Sequence, residues 1–130
     1  MLSIRKGRAA DLPSIQEMLV LLFPDSHSRF LPGDRYAVAE RNGILIGFCH
    51  YRFREKSCFV AGLGVLAQYR NHGVGGQLLA EALFDSDSRG IETTYLKVRP
   101  LNTAAKLYHQ MGFFEKRSGT ALTLVRKRPS

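Results

Sequence analysis

The sequence predicts an α/β domain of the α+β type, a mixed and mostly antiparallel central sheet of about six to seven strands with helices on both faces. Apolar residues recur with helical or strand spacing along the 130 residues in the order β-α-β-β-β-α-β-α-β-β. Three successive strands joined by short turns favour antiparallel pairing, and the helices between other strands cover the sheet. A single domain, residues 1–130, is expected for this length.

The chain begins with a strand, a helix and a loop. Residues 2–5 alternate as a short strand, and Asp11 is a good N-cap for the helix after it. The apolar face of that helix is formed by Ile15, Met18, Leu19 and Leu22. Two prolines, one glycine and two aspartates make residues 24–34 a loop.

A meander of three strands follows. Tyr36–Ala39 and Ile44–Phe53 flank Asn42–Gly43, which is the strongest two-residue hairpin signal. A charged turn then leads into a third strand, Cys58–Val65. Two glycines interrupt this strand, Gly62 and Gly64. Glycines inside a strand indicate a bulge or the close approach of a backbone or a ligand.

Two helices and three strands complete the chain. The first helix has an apolar face formed by Val74, Leu78, Leu79, Ala82 and Leu83, and Asp85–Gly90 ends it. Thr93–Val98 is a β-branched and aromatic strand. Asn102 caps a second helix, whose inward residues are Ala104, Leu107, Tyr108 and Met111, and Gly112 is its C′ residue. The last strands, Phe113–Arg117 and Ala121–Arg126, flank a turn at Ser118–Gly119.

Composition excludes several classes of protein. The apolar fraction of 45% is sufficient for one core, and no apolar run approaches the ~20 residues of a membrane span. Charges near the amino terminus argue against a signal peptide, so we expect a cytoplasmic protein, monomeric or homodimeric. The net charge of +8 is spread along the chain and suggests anionic ligands. We expect no nucleic-acid partner, because aromatic and basic residues do not interleave on any recognisable binding element.

The cysteines and histidines predict no metal site. Two free thiols are expected for Cys49 and Cys58, because they face each other in only one strand register. The four histidines show no zinc-ligand spacing. We expect His72 and His109 to be solvated and His50 to be a surface residue at a strand end.

The segment that carries chemistry runs from Leu63 to Gly76, from a strand through glycines into a helix. Free backbone N–H groups at a helix start, with the positive end of the helix dipole, form an anion site. Glycines let a phosphate approach the backbone, and Asn71 tolerates a left-handed turn. A Walker A loop is excluded because no Gly-Lys-Ser/Thr occurs. A dinucleotide fingerprint is excluded because Leu78 stands where its third glycine belongs.

Two blocks of this sequence resemble those of the GNAT superfamily of N-acetyltransferases. The segment Arg70-Asn-His-Gly73-Val-Gly75 resembles the acyl-CoA loop of that family. The segment from Asn102 to Gly112-Phe113, with Tyr108 six residues after the asparagine, resembles its second block. The strand and helix between Ile4 and Leu22 resemble its amino-terminal block, so that the resemblance covers nearly the whole chain.

This resemblance implies roles for individual residues. The backbone amides of the loop would hold the pyrophosphate of CoA, with added charge from Arg70; these residues are Asn71, His72, Gly73, Val74, Gly75 and Gly76. The backbone of Leu63 and Val65 would pair with the pantetheine arm, and Asn102 would bind that arm or the strand end. Tyr108 would be the general acid beside the thioester sulfur. The amine would attack acetyl-CoA directly, without an acyl-enzyme and without a metal.

Simpler interpretations stand beside these roles. The glycines also suit an ordinary strand-to-helix turn, Tyr108 also suits a core position, and Asn102 is a helix cap in either case. Many family members carry a glutamate on the fourth strand as the base, whereas Cys58–Ala67 contains no acidic residue. The base could be His50, Glu40 or a water molecule. Alternatively, the site lowers the pKa of the amine, or the acceptor is less basic than an alkylamine.

Three functions follow in order of preference. The first is an N-acetyltransferase that moves the acetyl group of acetyl-CoA to a primary amine of a small molecule or protein. The second is a catalytically weak or inactive acyl-CoA-binding regulatory module of the same fold, which the missing acidic base favours. The third, a nucleic-acid-associated protein, rests on the net charge alone.

Overall fold

The computed structural model describes residues 1–26, 29–98, 105–118 and 121–129. Its elements are β1 (Leu2–Lys6), α1 (Leu12–Leu22), β2 (Arg35–Arg41), β3 (Ile44–Arg54), β4 (Ser57–Val65), α2 (Val74–Ser88), β5 (Thr93–Val98), α3 (Ala105–Gln110), β6 (Phe114–Ser118) and β7 (Ala121–Lys127). Single 3₁₀ turns at Ala9–Asp11 and Ala67–Tyr69 precede α1 and α2. The predicted cap Asn102, the inward Ala104 and the turn residue Gly119 lie outside the described residues.

The seven strands form one sheet in the order β1-β2-β3-β4-β5-β7-β6. Every neighbouring pair is antiparallel except β4 and β5, which are parallel because α2 forms the crossover between them. The hairpin turn lies where the sequence predicts it, with positive φ of 53° at Asn42 and 80° at Gly43. The predicted mixed, mostly antiparallel sheet is confirmed.

Helices cover both faces of the sheet. On one face α1 buries Ile15 and Met18 against the β2 and β3 side chains Tyr36, Val38 and Phe48. On the other face α2 packs against β1 to β4, and its buried apolar residues are Val74, Leu78, Leu79, Ala82 and Leu83. Tyr108 of α3 belongs to this second core. Gly112 ends α3 with a φ of 94°, and the N–H of Phe113 donates to the carbonyl of Tyr108, as a helix C-cap requires.

The predicted capping role of Asp11 is wrong in one respect. Asp11 stands at the N-cap position of α1, but its side chain makes no capping hydrogen bond there. Instead it accepts two hydrogen bonds from the Arg5 guanidinium, at 2.8 and 3.0 Å, and one from the N–H of Arg8 at 2.7 Å. These hydrogen bonds lower the pKa of Asp11 to about 2, and those from Arg5 have the largest effect. A charged partner on β1 therefore outcompetes the local cap.

The two cysteines are buried free thiols, as predicted. Their strands pair in a register that sets Cys49 opposite Leu63 and Cys58 opposite Phe53. Burial raises the pKa of Cys58 to about 12, so this thiol is inert at neutral pH. Among the described residues, no helix is long and apolar enough to cross a membrane, and no three metal-ligating side chains cluster.

The two glycines of β4 have different neighbours. Ala61, next to Gly62, is an extra residue in β4, because His50 pairs with Gly62 whereas Tyr51 pairs with Val60. A Cβ at Gly64 would lie 2.9 Å from Leu22 and 3.0 Å from Phe48. The glycine pattern thus marks a bulge, as predicted, and a close approach by the side chains of α1.

Candidate active site

The candidate site is a cleft where β4 and β5 part. The two strands pair only over Ser57–Phe59 and Thr93–Tyr95. Beyond these residues β5 stays paired with β7, while β4 runs on to Val65 with a partner on its β3 side alone among the described strands. The pairing stops just before the bulge at Ala61, and a bulge increases the local twist of a strand.

The exposed edge of β4 presents backbone groups to this cleft. The N–H of Leu66 donates to the carbonyl of Ile46 on β3 at 2.9 Å. In an antiparallel ladder these bonds alternate, so Gly64 and Gly62 also point their polar groups at β3. Leu63 and Val65 point theirs the other way. This is the orientation that an added extended chain needs.

The glycine loop ends in a helix start with free N–H groups. Left-handed φ angles of 65° at Asn71 and 79° at Gly73 turn the chain sharply into α2. The N–H of Gln77 donates to the carbonyl of Gly73 at 3.1 Å, and three N–H groups precede it in the helix: Val74, Gly75 and Gly76. Together with the helix dipole they form an anion site.

A cavity of about 710 Å³ joins the open strand edge to the glycine loop. Nine of the sequence-predicted site residues line it: Leu63, Val65, Arg70, Asn71, Gly73, Val74, Gly75, Gly76 and Tyr108. His72 is exposed, as predicted, and lines a different cavity beside Tyr69 and Arg41. Asn102 lies outside the described residues, so its predicted role stays a prediction.

The structure adds residues to this cavity that the sequence did not single out. Lys106 and Gln110 lie two residues before and after Tyr108, and Phe23 follows α1. Lys106 and Gln110 are four residues apart and share one face of α3, but a helical wheel places that face away from Tyr108, so only the tertiary fold brings them and Phe23 to this cavity. Arg70 is held by a hydrogen bond from its Nε to the carbonyl of Val65 at 3.0 Å, which ties the loop to the end of β4.

Tyr108 lies where this cavity meets a second one. That second cavity, of about 490 Å³, is also lined by Leu63, Phe23 and Tyr108. The tyrosine is 7% exposed and packs edge-on against Phe113 at 5.9 Å. Burial, with a smaller contribution from Cys49, raises the pKa of Tyr108 to about 12. The phenol is therefore protonated at neutral pH and able to donate a hydrogen bond.

The second cavity lies between the end of α1 and the parted strands. Most of its lining is apolar, contributed by Leu19, Leu22, Phe23, Pro24, Val60, Ala61, Leu63, Leu96 and Val98. Its only charged lining residues among those described are Asp25 and Lys97. It is the space that an acceptor could enter, on the opposite side of Tyr108 from the glycine loop.

The two side chains proposed as bases lie away from both cavities. Glu40 forms an ion pair with Arg5 at 2.8 Å and lines a separate surface pocket. His50 is 1% exposed, so the expectation of a surface histidine is wrong. It lines neither of the two cavities that meet at Tyr108.

His50 is instead the centre of a buried cluster under residues 29–34. Its Nε2 donates to Asp34 at 2.6 Å, and its ring stacks on Tyr36 at 4.9 Å. The Arg52 guanidinium also binds Asp34 through two bonds of 3.0 Å and reaches the carbonyl of Arg29 at 3.0 Å. The cluster therefore fastens this segment to β3. The sequence could not show it, because the burial of His50 depends on a loop without periodicity.

The ionisation of the cluster follows from these contacts. Burial lowers the pKa of His50, and the effect of burial exceeds that of the Asp34 carboxylate, which acts to raise this pKa. Burial acts to raise the pKa of Asp34, but hydrogen bonds from Arg52, Leu31 N–H and His50 outweigh it, and its pKa is lowered. A neutral histidine beside a charged aspartate is thus the stable state at neutral pH.

Comparison with known proteins identifies the class. The Acetyltransferase (GNAT) family profile matches residues 8–113. The ribosomal protein bS18-alanine N-acetyltransferase of Escherichia coli K12 is 30% identical over 120 residues, 87% of this chain and 81% of that protein. The protein of the same name from Haemophilus influenzae is 33% identical over 87 residues, 64% of this chain and 58% of its own length.

Solved structures share the fold at lower identity. The E. coli ribosomal-protein-S18-alanine N-acetyltransferase superposes with a TM-score of 0.83 at 20% identity, covering 100% of this chain and 96% of that one. The PaiA N-acetyltransferase of Thermoplasma acidophilum, in complex with coenzyme A, superposes with a TM-score of 0.82 at 19% identity. This match covers 98% of this chain and 99% of that one. The fold and the matches together define an acetyl-CoA-dependent N-acyltransferase. The chain belongs to the GNAT family of acetyltransferases, as the sequence resemblance predicted.

The buried cluster predicts a specific loss of stability at mildly acid pH. His50 has a folded pKa below its ordinary value of 6.5, so the unfolded chain binds its proton more readily. The free energy of unfolding therefore contains a contribution that is present above pH 6.5 and lost as pH falls toward the folded pKa. We expect the melting temperature of His50→Gln, which keeps an N–H donor, to depend less on pH between 7.5 and 5.0 than that of the wild type.

The matched control is His72→Gln, which removes an exposed histidine outside the cluster. Its melting temperature should follow the wild-type pH dependence. If the melting temperatures of His50→Gln and the wild type change equally with pH over this range, His50 is not the source of the pH dependence.

Proposed function

We propose that this protein transfers the acetyl group of acetyl-CoA directly to a primary amine. The observation that carries the proposal is the parting of β4 and β5, which opens two cavities that meet at Tyr108. One cavity has the open strand edge and the anion-binding loop, and the other is mostly apolar. Two substrates that enter from opposite sides would meet beside one hydrogen-bond donor.

The residues of the larger cavity suit CoA. The backbone of Leu63 and Val65 would hold the pantetheine arm, and the N–H groups from Asn71 to Gly76 would hold the pyrophosphate. Arg70 and Lys106 add positive charge to the cavity lining. Gly75 and Gly76 place no side chain on this wall, and a Cβ there would lie 3.7 and 3.4 Å from Leu107, which also lines the cavity. The bound thioester would supply an activated acetyl group.

We assign to Tyr108 the role of hydrogen-bond donor to the departing sulfur of CoA. A pKa of about 12 makes full proton transfer to a thiolate near pKa 8.5 unfavourable. The phenol would act chiefly through a hydrogen bond that strengthens as negative charge develops on sulfur. Its burial fixes the ring, and a fixed donor does not have to reorganise during the reaction.

The acceptor that fits this site best is the α-amino group of a polypeptide. No acidic residue lies on β4, and Glu40 and His50 are engaged elsewhere. An α-amine has a pKa of about 7.7–8.0, so roughly a third of it is neutral at pH 7.5. A lysine amine near pKa 10.4 is neutral in about one molecule per thousand. An α-amine therefore needs only water to take its proton.

The relatives support this choice of acceptor. The E. coli and H. influenzae proteins are named for acetylation of an alanine in ribosomal protein bS18. Terminal alanine is small enough for a cavity walled by Leu22, Val60 and Leu96. Two buried free thiols, Cys49 and Cys58, support a reducing compartment and hence the cytoplasm. We further propose that the chain forms one domain and that the protein is a monomer or a homodimer.

A binding module without turnover is the second candidate. The observation in its favour is that Asp25 is the only carboxylate lining either cavity among the described residues. Such a module would bind acetyl-CoA and leave the thioester intact. Consumption of the thioester in the presence of an amine distinguishes the two functions.

The first prediction concerns the anion site. Gly73 has a φ of 79°, and a Cβ placed there meets nothing within 4 Å, so substitutions add strain but no clash. Gly73→Asn and Gly73→Asp have similar shapes and differ in charge. We expect the aspartate variant to bind acetyl-CoA at least about tenfold more weakly than the asparagine variant by calorimetry. Equal affinities in two folded variants would place the pyrophosphate elsewhere.

The second prediction concerns Tyr108→Phe. Removing the hydroxyl should lower kcat roughly 10- to 1,000-fold, because the bond to sulfur strengthens in the transition state. The Kd for acetyl-CoA should change by less than about threefold. A purely structural tyrosine would instead give a lower melting temperature with normal activity per folded molecule. Steady-state kinetics and thermal melting of one preparation separate these results.

The third prediction concerns the acceptor. One peptide carries a free terminal alanine and no lysine, and its partner has a blocked amino terminus and one lysine. We expect kcat/KM at pH 7.5 to be at least about 100-fold higher for the first peptide, in line with the fractions of neutral amine. Release of free thiol from acetyl-CoA measures both. Equal or greater activity on the lysine peptide would overturn the assignment to α-amines.

A further inference from the structure

One face of the sheet combines aromatic and basic side chains from strands that are distant in sequence. On β5, Thr94 and Leu96 are buried on the α2 side, so the alternate residues point to the opposite face. The strand register aligns Tyr95 with Phe59 of β4 and with Val125 of β7, which in turn lies opposite Phe114 of β6. These four residues form one apolar row across four strands.

Lysines border this apolar row on both sides. Toward the cleft, Lys97 lies opposite Thr123, which lies opposite Lys116. On the other side Lys127 lies opposite Thr93 and donates to its hydroxyl at 2.9 Å. All three lysines are exposed. We refer to the apolar row together with these lysines and threonines as the lysine-bordered face.

The lysine-bordered face is open to a partner. Phe114 is 48% exposed, and a shallow cavity of about 500 Å³ runs along the face. Every residue that lines this cavity belongs to a strand: Thr93, Tyr95, Phe114, Lys116, Thr123, Val125 and Lys127. Within the described part of the chain, no carboxylate takes part in this face. Its charge is therefore wholly positive and suits an anionic partner.

The face continues from the acceptor side of the active site. Lys97 lines the second cavity of the site, the one we assign to the acceptor and call the acceptor cavity. Thr123 lies directly across from Lys97 and lines the shallow cavity. Neighbouring strands are about 4.8 Å apart, so Lys97 and Lys116 are separated by about 10 Å, or roughly three residues of an extended peptide. A chain that leaves the acceptor cavity past Lys97 would reach the lysine-bordered face at once.

We propose that the lysine-bordered face binds the segment that follows the acetylated residue and selects acceptors in which that segment is acidic and carries an apolar side chain. This inference rests on the proposed function, since it concerns the same acceptor. Carboxylates would pair with Lys97, Lys116 and Lys127, and the apolar side chain would cover the row between them. Binding far from the reacting atoms would lower KM and leave kcat nearly constant.

Two other occupants fit the face less well. A second copy of the chain would bring lysines against lysines across a shared axis, which is electrostatically unfavourable. Single-stranded nucleic acid would stack its bases on exposed aromatic rings. However, Phe59 and Tyr95 are half-buried and lie against each other, with centroids 5.1 Å apart, so that Phe114 is the most accessible ring of the row. An acidic peptide needs only the apolar row and the lysines.

The test compares three peptides that begin with the same three residues and differ at positions ~4 to 8. One carries glutamates around a leucine, one carries glutamines, and one carries lysines. For the wild type we expect KM for the acidic peptide to be about tenfold below that for the lysine peptide, with kcat within about twofold. The difference should shrink at high salt, because exposed charges are screened.

Charge reversal on the face provides the second measurement. Lys116→Glu combined with Lys127→Glu should reduce the ratio of the two KM values to less than about twofold while leaving kcat for the glutamine peptide unchanged. Lys6→Glu combined with Arg8→Glu makes the same change in net charge beside β1, at the opposite end of the sheet, and should keep the wild-type ratio. Melting temperatures verify that both variants are folded.

The outcomes separate the inference from the proposed function. Acetylation of all three peptides with equal KM would leave the proposed function in place and overturn the inference. No acetylation of any peptide would overturn both. Equal KM values combined with binding of a single-stranded oligonucleotide, lost in the Lys116→Glu and Lys127→Glu variant, would assign the face to nucleic acid. A change from dimer to monomer in that variant, again with equal KM values, would assign it to self-association.

Discussion

The candidate site depends on one constraint, the end of pairing between β4 and β5 after three residues on each strand. Backbone N–H and C=O groups must be hydrogen-bonded or solvated, and their burial without partners destabilises the fold. The N–H and C=O of Leu63 and the N–H of Val65, whose C=O accepts from Arg70, therefore keep the cleft accessible to water or to a ligand. The bulge at Ala61 and the full pairing of β5 with β7 maintain the separation. A cleft of this kind is built from the backbone, so many side-chain substitutions would leave it intact.

The two faces of the sheet supply the two sides of the cleft. On one face α2 packs on the larger core, and its amino terminus forms the anion site. On the other face the end of α1 walls the apolar cavity, and the side chains of Leu22 and Phe48 closely approach the position of Gly64. Tyr108 belongs to the core under α2 and reaches the apolar cavity. The buried cluster of His50, Asp34 and Arg52 fastens residues 29–34 on the α1 side.

Local chemistry explains what could be predicted from the sequence. Asn42–Gly43 and the glycine loop depend on backbone angles that few residues adopt, so the residue types indicate the turns directly. Asp11 stands at the predicted N-cap position, but its side chain binds Arg5 instead of capping, because Arg5 lies on a strand whose position is not local information. The burial of His50 and the lysine-bordered face were missed for the same reason. Phe59 and Phe114 become neighbours of Tyr95 only through the register of four strands.

Electrostatics connects the fold to the choice of substrates. Six of the eleven carboxylates form ion pairs with arginines inside the described structure: Asp11, Asp34, Glu40, Asp85, Asp87 and Glu92. Asp34 and Asp85 are moreover buried and accept several hydrogen bonds each, so they contribute little to the field outside. Most of the lysines, in contrast, remain on the surface with their charge exposed. The net charge of +8 therefore acts mainly on ligands. It favours a phosphate-bearing cofactor and an acidic acceptor segment and disfavours polycationic amines, which would be repelled before they reached the cleft.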